Sequence, residues 1–341
     1  MKSAERIRIL LEELGKTISG EIGEQVRNST IQELSSVARE DEDDTIYEID
    51  RKTEERIMDI FEKKIGPEIP CILIMEGSPS EGLVFGPGGR GDAEYTVIMD
   101  PLDGTRGLMY GKRSAWVLSA AAPGGSAGLT LKDIVTAVQT EIPAPKQTLF
   151  DQLSATAGSG ACGRRFDLSN RNETSFNPSP SSATGLQYGF ATFNRFFPGI
   201  KTIVNNVENE LFNRLGSEGN NYFYFEDQYI CNGGQLAELA TGRDRFVCDI
   251  RAAAAPAMVK RGLTSPLCTH PYDVCTELIA REAGVIVTGP DGGRLDYPLD
   301  TLTDVAWIGY ANENIRQLIE PHILDIIARI EDCVPDSENP V

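Results

Sequence analysis

The sequence predicts a mixed α/β protein in two halves. Three observations carry that expectation: apolar residues at helical spacing open the chain, continuous apolar runs of strand length take over from residue 71, and a Pro/Ser-rich stretch, Asn177-Pro-Ser-Pro-Ser-Ser-Ala183, stands between two such mixtures.

In residues 4–22, Ile7, Leu10, Leu11, Leu14 and Ile18 recur at three- and four-residue steps, which predicts an amphipathic helix. A second helix is expected from Ile31 to Val37 and beyond. The acidic run at residues 40–44 reads as a linker or a solvated helix start. A third helix is expected over 47–64, with Ile49, Thr53, Ile57 and Phe61 on one face, stopping at Gly66-Pro67. Cys71-Ile-Leu-Ile-Met75 is a continuous apolar strand ending at Glu76, and residues 77–94, with six Gly and two Pro, read as a loop. Strands are expected at 115–122 and 134–142, and a short strand with tight turns in 147–170. Past residue 183, the pattern predicts strands at 187–193, 222–225, 246–250, 285–288 and 307–310. Helices are expected at 202–215, 235–240, 272–283 and 314–330, the last kinked or divided by Pro321. Residues 252–271 read as irregular. No strand order follows from the sequence.

The net charge is −19, from 51 acidic against 32 basic residues. Such a balance argues against nucleic acid or an anionic membrane as a partner, since both need a cationic face. A phosphate substrate stays compatible if metal ions reverse the local field. The seven Cys form no C-x-x-C pair, which suggests reduced thiols and a cytoplasmic location, and no run approaches membrane-spanning length. With only His270 and His322 in the chain, a His-based hydrolase triad or metal site has little to draw on.

The chemistry concentrates at residues 95–105. A β-branched apolar run drives into Asp100-Pro-Leu-Asp-Gly-Thr105. Two carboxylates three residues apart at the end of a buried strand repel each other unless something cationic sits between them. Pro101 stiffens the turn, and Gly104 lets backbone approach a ligand closely. A helix starting there would offer bare N–H groups to a phosphate. Glu76 ends another strand and Asp273 opens a helix; hard oxygen ligands in such places suit Mg²⁺.

Met99-Asp-Pro-Leu-Asp-Gly-Thr105 resembles the first signature of the inositol monophosphatase family, with its fructose-1,6-bisphosphatase relatives. Tyr272-Asp-Val-Cys-Thr-Glu-Leu-Ile-Ala-Arg-Glu-Ala-Gly284 resembles the second signature. Ile74-Met-Glu76-Gly, the helix Tyr47-Glu-Ile-Asp50-Arg-Lys-Thr-Glu54 and the turn Gly158-Ser-Gly-Ala161 follow the family pattern in the same order. The resemblance implies a layered αβαβα sandwich, with residues 1–180 as an α+β half carrying most metal ligands and 181–341 as a half with substrate contacts and the last metal-binding Asp. It implies binding of two or three Mg²⁺ by Glu76, Asp100, the Leu102 carbonyl, Asp103 and Asp273. Asp50 and Thr105, with Glu76, would orient and deprotonate the attacking water. Gly104 and Thr105 would hold the phosphate, and Asp249 and Asp273 would contact the substrate.

The implied activity is hydrolysis of a small phosphorylated metabolite by a homodimeric, lithium-sensitive phosphatase. Inositol phosphates, fructose 1,6-bisphosphate and 3′-phosphoadenosine phosphates are the candidate substrate types, and a non-catalytic ligand-binding member is the alternative. A haloacid-dehalogenase-type phosphatase fits less well, because its acids are spaced D-x-D and these are D-x-x-D. Gly77, Tyr272, Arg106 and Asn232-Gly-Gly-Gln depart from the family pattern. The segment between Asp249 and Asp273 is longer than that pattern and carries Arg251, Lys260 and Arg261, which read either as solvated loop charges or as cations that reach a second phosphate or carboxylate.

Overall fold

A computed structural model describes residues 2–35, 37–40, 45–125, 127–216 and 223–334. Helix α1 (Lys2–Asn28) opens the chain. Its periodic residues Ile7, Leu11, Leu14 and Ile18 are buried, and Ile22 and Val26 extend the same stripe. A one-turn helix α2 (Ile31–Leu34) follows, capped by Thr30 and Glu33. The expected helix ends there, because Val37 enters a two-stranded ribbon, β1 (Val37–Glu40) with β2 (Thr45–Tyr47). Residues 41–44 of the acidic run lie outside the described residues. Helix α3 (Glu48–Ile60) buries Ile49, Thr53, Ile57 and Phe61 as its spacing requires. It does not stop at Gly66-Pro67. A π turn (Phe61–Ile65) carries it into α4 (Gly66–Glu68), and the helix ends just past Pro67.

Strands β3 (Cys71–Met75), β4 (Leu83–Phe85), β5 (Tyr95–Asp103), β6 (Ala115–Pro123), β7 (Thr136–Ile142), β8 (Leu149–Thr156), β9 (Ala161–Asp167) and β10 (Glu173–Phe176) form one eight-stranded sheet. Its order is β10-β9-β8-β7-β6-β5-β3-β4, and β3 with β5 is its parallel pair. The short helix α5 (Thr105–Met109) joins β5 to β6. Two expectations are corrected here: the 77–94 loop contains the edge strand β4, and the 147–170 region is a full hairpin of two strands. Strand β10, for which no element was expected, closes the far edge.

A second sheet has the order β11 (Phe190–Phe193), β12 (Asp244–Asp249), β14 (Trp307–Tyr310), β13 (Ile286–Thr288). Helices α6 (Lys201–Arg214), α7 (Asn232–Ala240), α8 (Arg251–Lys260), α9 (Glu277–Ala283) and α10 (Glu313–Ala328) complete the chain. Residues 252–260, within the stretch expected to be irregular, are helical. Four consecutive Ala from 252 to 255 favour the helix enough for it to pass Pro256. The expected helix over 272–283 is a 3₁₀ turn (Pro271–Val274) followed by α9, and Pro321 lies inside α10 without dividing it. Within 222–225, Phe225 reaches β11 through a single bridge to Phe190, and no strand forms there among the described residues.

The layering follows from which face each strand residue buries. In β3 and β5, Cys71, Leu73, Met75, Val97 and Met99 face the core under α1 and α3, while Ile72, Ile74 and Ile98 face the core shared with α7 and α9. In the second sheet Val247 and Trp307 join that same middle core. Phe246, Cys248, Ile308 and Tyr310 turn to a third core under α6, α8 and α10. The architecture is therefore an αβαβα sandwich. All seven cysteines are unpaired, and among the described residues no helix is long and apolar enough to cross a membrane.

One buried acid away from the Asp100–Asp103 turn carries its own test. Asp244 begins β12, where burial, then the nearby Glu238 and Asp227, raise its carboxyl to about 7. In the unfolded chain the same group ionises near pH 4, so between these values the fold binds the extra proton and stability falls as pH rises. Asp244→Asn removes that loss. Its melting temperature relative to wild type is expected to be more favourable at pH 8 than at pH 4.5, read by calorimetry at both values; a pH-independent difference would contradict the assignment.

Candidate active site

The parallel pairing of β3 with β5 sets Met75 opposite Met99, so the strands run out side by side and Glu76 follows in step with Asp100. Glu76 N–H still reaches Met99 O, at 3.4 Å. Asp100 is 2% exposed, and its Oδ1 accepts from Leu102 N–H at 2.8 Å, so the Pro101 turn fixes its own carboxylate. Asp103 accepts from Gly233 N–H, in the first turn of α7, at 2.6 Å. Asp273 accepts from His270 N–H at 2.6 Å, as the cap of its 3₁₀ turn.

Asp100, Asp103 and Asp273, 173 residues apart at the extremes, bring carboxylate oxygens within 4.8 Å of one another. Burial, then Glu76, Asp103 and Asp273, drive the Asp100 carboxyl well above the usual carboxylate range. Burial and Asp273 push Asp103 up to about 8, and burial raises Asp273 despite His270. This is the electrostatic signature of a hard-oxygen set missing its counter-charge, and the donors fit a hard divalent cation.

Thr105 stands at the start of α5, after Gly104 at φ +95°. A Cβ at Gly104 would lie 3.1 Å from Cys231 Cβ, so glycine is required there both for the turn and for the approach of α7. Thr105 Oγ1 lies 3.2 Å from Asp50 Oδ1 and 2.8 Å from Leu102 O. Asp50 Oδ2 accepts from Tyr47 N–H at the head of α3, so one carboxylate both caps a helix and faces the hydroxyl.

Asp50, Glu76, Asp100, Leu102, Asp103, Gly104, Thr105 and Asp273 all line one cavity of about 710 Å³. Asp249 does not. It is 0% exposed, with Oδ1 taken by Arg251 Nε at 2.9 Å and Oδ2 by Arg251 Nη2, Asn194 Nδ2 and Thr269 Oγ1. Burial alone would raise its carboxyl, but Arg251 beside it holds it below the ordinary value. Arg251 lines the cavity instead, its guanidinium 5.2 and 5.8 Å from the Phe196 and Phe197 ring centres.

Arg251 is thus no solvated loop charge. Lys260 meets Glu331 at the surface and Arg261 donates to the Val334 carbonyl, both away from the cavity. Glu54, Asn232 and Cys231 line the site without having been singled out as site residues from the sequence. Glu54 had a signal, since it ends the helical motif that begins at Tyr47. Its carboxylate fills the space beside Gly77, 2.7 Å from where a Cβ would stand, while Gly77 itself holds φ +77°.

No protein-family model matches the chain, and no curated protein matches it. Solved structures do. Extragenic suppressor protein suhB from Bartonella henselae is 19% identical with a TM-score of 0.60, over 97% of this chain and 99% of that one. Fructose-1,6-bisphosphatase from Leishmania major in its holo form is 13% identical with a TM-score of 0.65, over 95% and 94%. A calcium-bound IMPase family protein from Staphylococcus aureus is 14% identical with a TM-score of 0.60, over 95% of each chain. The fold is that of the inositol monophosphatase and fructose-1,6-bisphosphatase superfamily. Between Asp249 and Asp273 the chain forms α8 and the loop after it. That helix begins with the arginine that closes over Asp249.

Proposed function

We propose that this chain is a Mg²⁺-dependent phosphatase that hydrolyses the monoester of a small phosphorylated metabolite by direct attack of water. The observation that carries the reading is the convergence of Asp100, Asp103 and Asp273 within 4.8 Å, in the cavity that also holds the Asp50–Thr105 pair. Glu76, Asp100, Asp103, Asp273 and the Leu102 carbonyl would hold the metal ions. Bound there, divalent cations acidify water and neutralise the leaving oxygen.

Thr105 Oγ1 orients the attacking water, and Asp50 Oδ1 receives its proton, with Glu76 aligning the water from the opposite strand end. Asp50 can do this because its second oxygen is already anchored at Tyr47, so the carboxylate does not swing on protonation. The N–H groups of Gly104 and Thr105 hold the phosphate. Asp273 also faces the substrate, whereas Asp249 acts through Arg251. The resemblance further implies a homodimer, a chain dividing near residue 180, and inhibition by Li⁺.

The deciding experiment is Mg²⁺-dependent phosphate release from a panel of monoesters, with chelator as control. Thr105→Val is expected to lower kcat by ~10²–10⁴ with little change in KM, the range for a lost proton-transfer group. A wild-type kcat in this variant rejects the proton path. Ligand binding without release from any ester by wild type rejects the enzyme reading.

A further inference from the structure

On the cavity wall beside the acidic cluster, Asn232 is 8% exposed at the first position of α7. Its carboxamide has one possible orientation. Trp307 Nε1–H can only donate, and it points at Asn232 Oδ1 from 3.1 Å. Thr269 Oγ1 lies 3.2 Å from the same oxygen. The amide nitrogen must therefore be on the other side, and among the described residues it has no partner.

Arg251 stands on the same wall, 4% exposed. Nε and Nη2 are spent on Asp249 and Thr269, and Nη1 donates to Leu267 O at 2.7 Å. Of the five guanidinium hydrogens, one on Nη1 remains. Phe196 and Phe197 pack against the guanidinium, so it cannot turn away. Asp249, the carboxylate beside Arg251, has both oxygens engaged and no exposed surface.

We infer that Asn232 and Arg251 form a donor-only wall that selects a phosphate ester whose leaving group carries an anionic oxygen, a second phosphate or a carboxylate, over one that carries hydroxyls alone. This rests on the phosphatase reading above. A hydroxyl satisfies a donor but leaves its own proton unpaired against such a wall, while an anionic oxygen accepts from both groups.

The test uses the full chain with Mg²⁺ and compares kcat/KM for fructose 1,6-bisphosphate and for 3-phosphoglycerate with that for inositol 1-phosphate. Wild type is expected to prefer one of the two anionic esters, and which one distinguishes a phosphate from a carboxylate. Asn232→Ala is expected to lower that preference ratio by ~10–100-fold, as for a hydrogen bond to a charged acceptor. Asn232→Asp keeps an acceptor for Trp307 and suits a helix N-terminus, so it separates selectivity from folding; it should lower the ratio further. A wild-type preference for inositol 1-phosphate, or an unchanged ratio in both variants, overturns the inference. If wild type hydrolyses none of the three, the wider monoester panel decides the phosphatase reading, and calorimetric binding of fructose 1,6-bisphosphate with Mg²⁺ decides the wall. Binding at least tenfold weaker in Asn232→Ala supports it, and equal affinity or no binding by wild type overturns it.

Discussion

Asp103→Asn is expected to abolish Mg²⁺-dependent phosphate release while leaving the metal-free fold as stable as wild type or more so. The two effects have one cause. Asp103 is buried beside Asp100 and Asp273, and burial with the Asp273 charge pushes its carboxyl up to about 8. Asn keeps an oxygen for the Gly233 N–H and removes one of the crowded charges, so metal-free protein at pH 8.5 should melt no lower than wild type. The same change deprives a divalent cation of a ligand. Loss of an electrostatic group of this kind costs ~10²–10³ in kcat. Wild type at a hundredfold excess of Mg²⁺ over its Kd should gain about 2.7 kcal/mol by linkage, seen as a rise in Tm, and the variant should gain little. Equal activity and an equal Mg²⁺-induced rise in the two proteins would remove these carboxylates from the metal site.

Arg251→Ala is expected to destabilise the protein by ~3–5 kcal/mol, because it leaves Asp249 charged, buried and unpaired. Asp249→Asn combined with Arg251→Met removes both charges and should recover most of that loss, since well-packed apolar replacement of a buried pair is often neutral. Urea unfolding of wild type, the single variant and the pair gives the comparison. Should the single variant fail to accumulate folded protein, the pair alone still decides, because it must fold. A loss below about 1 kcal/mol in Arg251→Ala would mean that Asp249 is satisfied by Asn194 and Thr269 without its cation.

Much of the acidic cluster was legible because each acid interrupts a pattern. Glu76 and Asp100 end uninterrupted apolar runs, and a carboxylate has no reason to sit there unless the strand ends at a site. Asp273 was legible only through the likeness of its segment to a known signature, since a helix-capping Asp looks the same in sequence. The helix faces of α1 and α3 were readable from their period. Edge strands β4 and β10 were not, being three and four residues long among Gly, Pro and polar residues. Helix α8 was hidden by Pro256, a residue whose helical cost Ala-rich neighbours offset. The Asn232–Trp307 contact joins residues 75 apart across two layers, and no local pattern carries such a contact. Asp249 illustrates the same limit: the family resemblance pointed it to the substrate, but two residues later the chain supplies the arginine that covers it.

The middle layer has a consequence for synthesis. All eight strands of the large sheet lie between residues 71 and 176, so the first half of the chain can complete the hydrogen bonding of that sheet while still on the ribosome. One of its faces, with Leu118, Ala120, Ala137 and Leu153, is covered by α7 and α9, which reach residue 283. At ~5–20 residues per second, about a hundred further residues leave that apolar face bare for ~5–20 s in every round of translation. The nascent chain therefore carries that uncovered face over a defined window, which closes when α9 docks.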